Sequence, residues 1–394
     1  MVKFLLAIIT AELKNIFSNK SIISVMILGP LIYCFLYPQP YTNEVLSNIS
    51  IGVLDQDNST LSRELVRHID ATKEMKTEVK LSSMNEAEQL LKSHQINGIL
   101  VIPFDFEKNV IKGESSPVSF YGDASYVLIY NNAATALNNV VMDMNSNISV
   151  NRQIAQGVDA AVAKNGSLPF SPTMIALFNP QAGYATYVLP PVFILILHQL
   201  LFIGILLATF FSKKDIAQLS ASASNSISPL LQSILFIAGK TFVYLVIYLV
   251  MFIFYMIMLA CWYHIPNLAN NWELFLFAII FLLTTIAFAL AFSAFIKNAE
   301  GIFLLMIPIS ILLFFASGVS WPQELIPSSI IFIANLFPAV PSMAAATKVA
   351  EMGASLKLVW PEIANLLLLS VIYFSIAIFS YYRHFHRLQQ QYAR

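Results

Sequence analysis

Six stretches of this chain, at 21–38 and at about 184–211, 234–262, 272–296, 301–319 and 362–382, are apolar over roughly the 17–25 residues that a helix needs to cross a bilayer. In hydrocarbon a single segment satisfies its own backbone N–H and C=O groups only as a helix. The runs are continuous rather than alternating, which argues against a transmembrane barrel. With 57% of residues hydrophobic and 11% charged, a purely soluble enzyme and a disordered scaffold are excluded. The sequence therefore predicts an α-helical membrane protein with six transmembrane helices.

The zero net charge hides a split: residues 39–183 carry 10 Lys/Arg against 15 Asp/Glu, and the remainder carries 12 against 7. An acidic soluble module is inserted between the first and second spans of a basic-flanked membrane domain. The two cysteines, Cys34 and Cys261, both lie in apolar runs, so the module has no disulfide and depends on its own core. Orientation follows from Lys and Arg in the short flanks. With the N-terminus inside, the inner side holds Lys3, Lys14, Lys20, Lys213, Lys214, Lys240, Lys297, Arg383, Arg387 and Arg394, and the outer short loops hold Lys348 and Lys357. Both termini are expected in the cytoplasm and residues 39–183 outside, which in a bacterium is the periplasm.

Residues 1–20 read as an interfacial amphipathic helix rather than a cleaved leader, because Glu12 and Lys14 interrupt a short apolar core. At 100° per residue, Leu5, Ile9, Leu13 and Ile16 fall on one face, with Lys3, Thr10, Lys14 and Ser18 opposite. Residues 21–38 form the first span, with a kink expected at Gly29-Pro30. In the module, strand-like runs at 49–54, 77–82, 97–102 and 117–121 alternate with helices near 59–70, 85–94 and 105–112, which predicts an α/β sandwich. Ser59 or Asn58 is placed to cap the first of these helices, and Asn85 with Glu88 suggests a capping box for the second.

From Val127 a 3-4 apolar repeat runs through Tyr130, Ala134, Leu137, Val141, Met144 and Ile148 to Ala155, Val158 and Val162. It predicts one helix of roughly 38 residues, about 57 Å long. Its seam (Val127, Tyr130, Leu137, Val141, Met144) either packs along its own domain or faces a partner. Residues 184–394 form a five-helix membrane domain. Within it, 320–361 is apolar but broken by Pro322, Pro327, Pro338 and Pro341, so re-entrant helices are expected there.

No catalytic or metal signature survives inspection. Gly239-Lys240-Thr241 has Ile234 where a phosphate-binding loop needs its first glycine, and it opens a span. His68, His94 and His264 stand alone and His384 and His386 sit in a basic tail, so no metal site is expected. His198 and Gln199, mid-span, either hydrogen-bond a neighbouring helix or line a substrate or proton route. Lys240 is expected to snorkel to the inner headgroups. No nucleic-acid partner is expected.

The blocks VLDQDNSTLSREL (53–65), GILVIPFDFEKNVIKG (98–113), Tyr121-Gly122-Asp123, LFNPQAGYATYVLPPVFILILHQLLFIGI (177–205) and SGVSWPQELIP…NLFPAVP (317–341) together resemble the membrane subunits of bacterial ABC exporters. The resemblance is to the drug and polysaccharide export superfamily, with the type V exporter fold, and covers nearly the whole chain. It implies an N-terminal connecting helix, a large extracytoplasmic domain after the first span, five more spans, and re-entrant helices before the last. It also implies a permease half that pairs with a second copy or a paralogue in the inner membrane, among membrane lipids. A separate cytoplasmic ATPase would bind the ATP and Mg, with no cofactor in this chain, and many such systems add a periplasmic adaptor and an outer-membrane channel. The coupling positions it implies are Glu12 and Lys14 of the connecting helix and Lys213, Lys214, Asp215 and Leu219 of the first inner loop. That loop, SKKDIAQLSASASNSISPLLQSILFIAGK (212–240), keeps the family's terminal Gly-Lys but lacks its acidic and Gly-Thr features. A non-transporting receptor or scaffold that docks partners through the outer domain is the alternative reading.

Overall fold

An apolar helix that must pack sideways does so along whichever line of residues finds a partner, and the first helix illustrates this. In the computed structural model, which describes residues 1–42, 46–166, 177–180, 183–212, 227–296 and 298–392, α1 (Val2–Ser18) buries Phe4, Ile8, Glu12 and Ile16. This i, i+4 line is rotated from the face predicted by hydrophobicity. Leu13, placed on the packing face by its side chain alone, is 37% exposed, and Leu6 and Phe17 are exposed as well. The next helix, α2 (Lys20–Tyr41), is long and apolar enough to cross a membrane. Pro30 lacks an N–H to donate, and the helix accommodates it with a π-helical turn at Ser24–Leu28.

The chain divides into two compact units, one of Met1–Glu44 with Ala176–Arg394 and the other of Val45–Ile175. The second unit contains β1 (Ile49–Asp55), α3 (Thr60–Asp70), β2 (Met75–Lys80), α4 (Met84–Lys92), β3 (Gly98–Ile102), α5 (Phe106–Lys112), β4 (Ser119–Gly122), α6 (Val127–Ala155) and α7 (Ala160–Gly166). The strand order is β2-β1-β3-β4, with β1 parallel to both β2 and β3, and β4 antiparallel to β3. One sheet face packs Ile51, Val53, Leu100 and Ile102 against α3, α5 and α6. The other packs Leu54 and Ile99 against Ala87 of α4. The α/β expectation holds for this unit.

Two local predictions in the unit are corrected. Ser59 caps α3 as expected, its hydroxyl accepting from Ser62 N–H. The cap of α4, however, is Ser83 rather than Asn85: Ser83 Oγ accepts from Glu86 N–H, and the Glu86 carboxylate accepts from Ser82 N–H. The long helix ends at Ala155, 29 residues from its start, where Gly157 at φ +87° takes the left-handed conformation that closes a helix terminus. Val158 and Val162 therefore do not continue the seam. Val162 lies on α7, the short second arm of a helical hairpin.

The first unit continues with α8 (Tyr184–Phe211), α9 (Pro229–Trp262), α10 (Asn271–Ser293), α11 (Glu300–Ala316), α12 (Ser328–Ala334), α13 (Ala339–Glu351) and α14 (Trp360–Tyr392). Among the described residues five helices, α2, α8, α9, α10 and α14, are long and apolar enough to cross a membrane. The 17-residue α11 falls just short of that length. In the expected re-entrant segment, α12 and α13 form an apolar pair bent by 96°. Helix α8 is buried along nearly its whole length and forms the axis about which the other helices pack.

Candidate functional site

Burying a carboxylate on the packing line of α1 requires a partner, and α9 supplies it. Phe236, Lys240 and Tyr244 recur every fourth residue and so share one helical face. Between them, Gly239 lets α1 approach: a Cβ there would meet the Ile8 side chain at 2.9 Å. Lys240 Nζ lies 2.7 Å from Glu12 Oε2, with both side chains buried. The Tyr244 hydroxyl donates to the other carboxylate oxygen. The same ammonium reaches Thr209 Oγ1 of α8 at 3.5 Å and the Tyr244 hydroxyl at 3.4 Å. It also lies 5.3 Å from the Phe236 ring centroid, a cation–π contact in a desolvated site. Phe236 packs against Tyr381 and Phe385 of α14 at centroid distances of 4.8 and 5.6 Å. Asn15 adds a neutral contact, its side-chain amide donating to Ala208 O at 2.8 Å. One buried ion pair thus ties α1 to α9 and, through its neighbours, to α8 and α14.

This arrangement corrects two sequence expectations. Lys240 does not snorkel to a headgroup region; it is 0% exposed and paired. Glu12 faces inward and is 3% exposed, so its carboxylate is not presented to a soluble partner, whereas Lys14 is exposed. Lys213, Lys214, Asp215 and Leu219 lie outside the described residues. Nothing in the local sequence marks Glu12 as buried. The available signal was a pair of lone opposite charges, each on an otherwise apolar helical face.

His198 is fully buried on α8, stacked on Phe202 with centroids 6.4 Å apart and 6.0 Å from Phe288. Neither ring nitrogen has a hydrogen-bond partner among the described residues. Of the two readings, the hydrogen bond to a neighbouring helix is not made among the described residues, and the ring lies in an aromatic cluster. Gln199 is half-buried. At the end of α13, Glu351 is 8% exposed with Oε1 unpartnered among the described residues; the sequence reading did not single it out.

The α6 seam resolves into core. Leu137 and Met144 are each 8% exposed and Val141 is partly buried, all three in the cluster beneath the sheet. Tyr130 stacks on Phe120 of β4. Along the predicted repeat Val127, at 63% exposed, stands clear at one end, and Ala155 and Val162 are exposed at the other. Of the two readings of this seam, packing along its own unit is the one that Leu137, Val141 and Met144 follow. No group of three or more His, Cys, Asp or Glu side chains is placed to hold a metal ion among the described residues.

Known proteins give this geometry its context. The linearmycin resistance permease protein LnrN of Bacillus subtilis (strain 168) is 28% identical over 118 residues, an alignment spanning 30% of this chain and 30% of that relative. The family described as ABC-2 family transporter protein matches residues 20–379, from the start of α2 to within α14. A match over nearly the entire bundle and the inserted module places the chain in the ABC-2 family of transporter proteins.

Proposed function

We propose that the chain is the permease half of an ATP-driven exporter that moves a hydrophobic or amphipathic substrate out of the cytoplasm or the inner membrane. The observation carrying this reading is the family match across residues 20–379, together with the relative named for linearmycin resistance.

The packing supports six crossings with both termini on one side. The Tyr41 and Tyr184 rings lie 5.4 Å apart, tilted at 42°, so α2 ends where α8 begins. Tyr263, just past α9, donates to Phe35 O on that same face. On the opposite face, α1 meets α8 at Ala208, and the Ser293 and Tyr381 hydroxyls join the ends of α10 and α14 at 2.8 Å. Helix α11 starts near that second face and leads to Val319, whose carbonyl accepts from Tyr187 near the start of α8. Its 17 residues rise about 26 Å, and the turn that follows completes a hydrocarbon core of about 30 Å. The bent pair α12–α13 follows Val319 on the first face and returns to it at Ala350, whose carbonyl accepts from Leu268 N–H, while at the bend Asn335 O accepts from Asn365 of α14. It enters and leaves on one side.

In this topology α1 lies in the cytoplasm beside the partner ATPase, and residues 39–183 are periplasmic. A second permease copy completes the pathway. A periplasmic adaptor leading to an outer-membrane channel would find exposed apolar groups at Tyr121, Tyr126, Val127 and Leu128. Co-expression with the cognate ATPase tests the reading. Co-purification, with ATP hydrolysis stimulated in reconstituted vesicles, is expected. Charge reversal at Lys213 and Lys214 should weaken the complex. An ATPase that neither binds nor is stimulated would favour the non-transporting scaffold.

A further inference from the structure

A pocket of about 490 Å³ opens between the ends of α8, α10 and α14, on the face of the bundle that α1 also meets. Its lining falls into three chemical zones. Hydroxyls of Thr209, Ser293 and Tyr381 form the floor, Phe295, Ile376 and Phe379 form an apolar wall, and Arg383, His384 and Arg387 form the rim. Arg383 and Arg387 are one helical turn apart and point from one side of α14. The Arg383 guanidinium rests 5.6 Å over the Phe379 ring, so cation and apolar wall are held together. No acidic side chain lines the pocket among the described residues.

A small soluble anion would use the rim and leave the wall wet, and a hydrocarbon would use the wall and leave two guanidiniums without a counter-charge. A single molecule that satisfies both carries phosphate next to acyl chain. Basic pockets between helices at a membrane surface suit such headgroups. We propose that this pocket binds an anionic phospholipid of the surrounding leaflet. The phosphate pairs with Arg383 and Arg387, and the first acyl methylenes lie along Phe295, Ile376 and Phe379. The glycerol oxygens face the hydroxyl floor. Thr209 is also a neighbour of Lys240, so the bound lipid backs directly onto the residues that hold the buried ion pair.

Native mass spectrometry of the full-length chain in detergent tests this, with dioleoyl phosphatidylglycerol or dioleoyl phosphatidylcholine added at equal mole fraction. Preferential retention of the phosphatidylglycerol is expected. Arg383→Gln/Arg387→Gln should reduce that retention about thirtyfold, at about 1 kcal/mol for each basic residue at a membrane surface, and leave phosphatidylcholine unaffected. Ile376→Trp, which fills the wall without touching the rim, should also lower it and keeps the test decisive if the charge variant does not fold. Equal retention of the two lipids, or unchanged retention of phosphatidylglycerol in either variant, would overturn the proposal. So would displacement of the lipid by millimolar inorganic phosphate, which would identify the rim as a site for a free anion.

Discussion

Replacing Glu12 by Gln removes one charge from the buried pair and leaves Lys240 in an apolar enclosure. At the observed 2.7 Å, the attraction between the two charges is about 6 kcal/mol with an effective dielectric of about 20. Desolvation of each ion costs several kcal/mol, so the pair as a whole is close to neutral relative to two apolar residues. The asymmetry matters more. Losing one partner strands the other, at a cost of about 3–5 kcal/mol, which the Thr209 and Tyr244 oxygens at 3.5 and 3.4 Å offset only in part.

Because α1 is the element held by this contact, the cost should appear as local opening of α1 rather than global unfolding. Hydrogen exchange of residues 2–18 in the detergent-solubilised full chain reads it directly. Glu12→Gln should accelerate exchange across α1 by roughly two to three decades, since each 1.4 kcal/mol is a factor of ten. Lys240→Met alone should do the same. The double variant Glu12→Leu/Lys240→Met should recover most of the protection, because it leaves no stranded charge. Wild-type exchange in Glu12→Gln would refute the reasoning, as would a double variant no better protected than the singles.

Three further outcomes are expected. Leu137→Asp with Val141→Asp should lower the level of folded protein rather than selectively abolish a docking step, because both side chains pack beneath the sheet; normal abundance with normal thermal stability would contradict this. Membrane-impermeant thiol labelling of intact cells should modify a cysteine placed at Ser115 but not one at Ser222, and the reverse pattern would invert the proposed topology. Asp57 is held below the usual carboxylate range first by the Ser59 hydroxyl and then by the Glu107 and Phe106 N–H groups at the start of α5. A lowered folded-state value contributes stability above the unfolded value near 4, which is lost as pH falls through the folded one. Protease resistance of the 103–112 segment should therefore fall on acidification in the wild type and change little with pH in Asp57→Asn.

What could be read in advance follows the range of the interaction that fixes it. The strands and helices of the inserted unit were legible because alternation and 3.6-residue periods are local, and each buries a face against its immediate successors. Boundaries slipped where two local signals competed. Ser83–Glu86 and Asn85–Glu88 are both cap-like, and the extended backbone of Ser83, with φ −153°, decides between them. The 3-4 repeat carried the long helix past Ala155 because Val158 and Val162 keep its phase, although Gly157 already offered the left-handed residue that ends it. The site was less legible, since its members come from α1, α8, α9 and α14 and each looks ordinary in its own segment. Glu12 interrupts an amphipathic pattern, Lys240 resembles an interfacial lysine, and only their juxtaposition makes either one structural.

That juxtaposition also bears on what α1 can do. Phe4, Ile8 and Ile16 are apolar contacts, and such contacts tolerate rotation or a slide of one turn at modest cost because dispersion is non-directional. An ammonium enclosed by a carboxylate, two hydroxyls and an aromatic face accepts one register. Since apolar residues of similar volume would stabilise the packing about as well, the consequence peculiar to the ion pair is that α1 is indexed to Lys240. In the proposed topology the exposed side of α1, with Lys14, lies on the cytoplasmic face. A displacement imposed there by an ATPase cannot be absorbed by slippage along α9 without stranding a charge, so it is passed on to α9 and, through Thr209 and Tyr381, to α8 and α14. The buried Lys240–Glu12 pair thus sits where the N-terminal helix is keyed to the bundle.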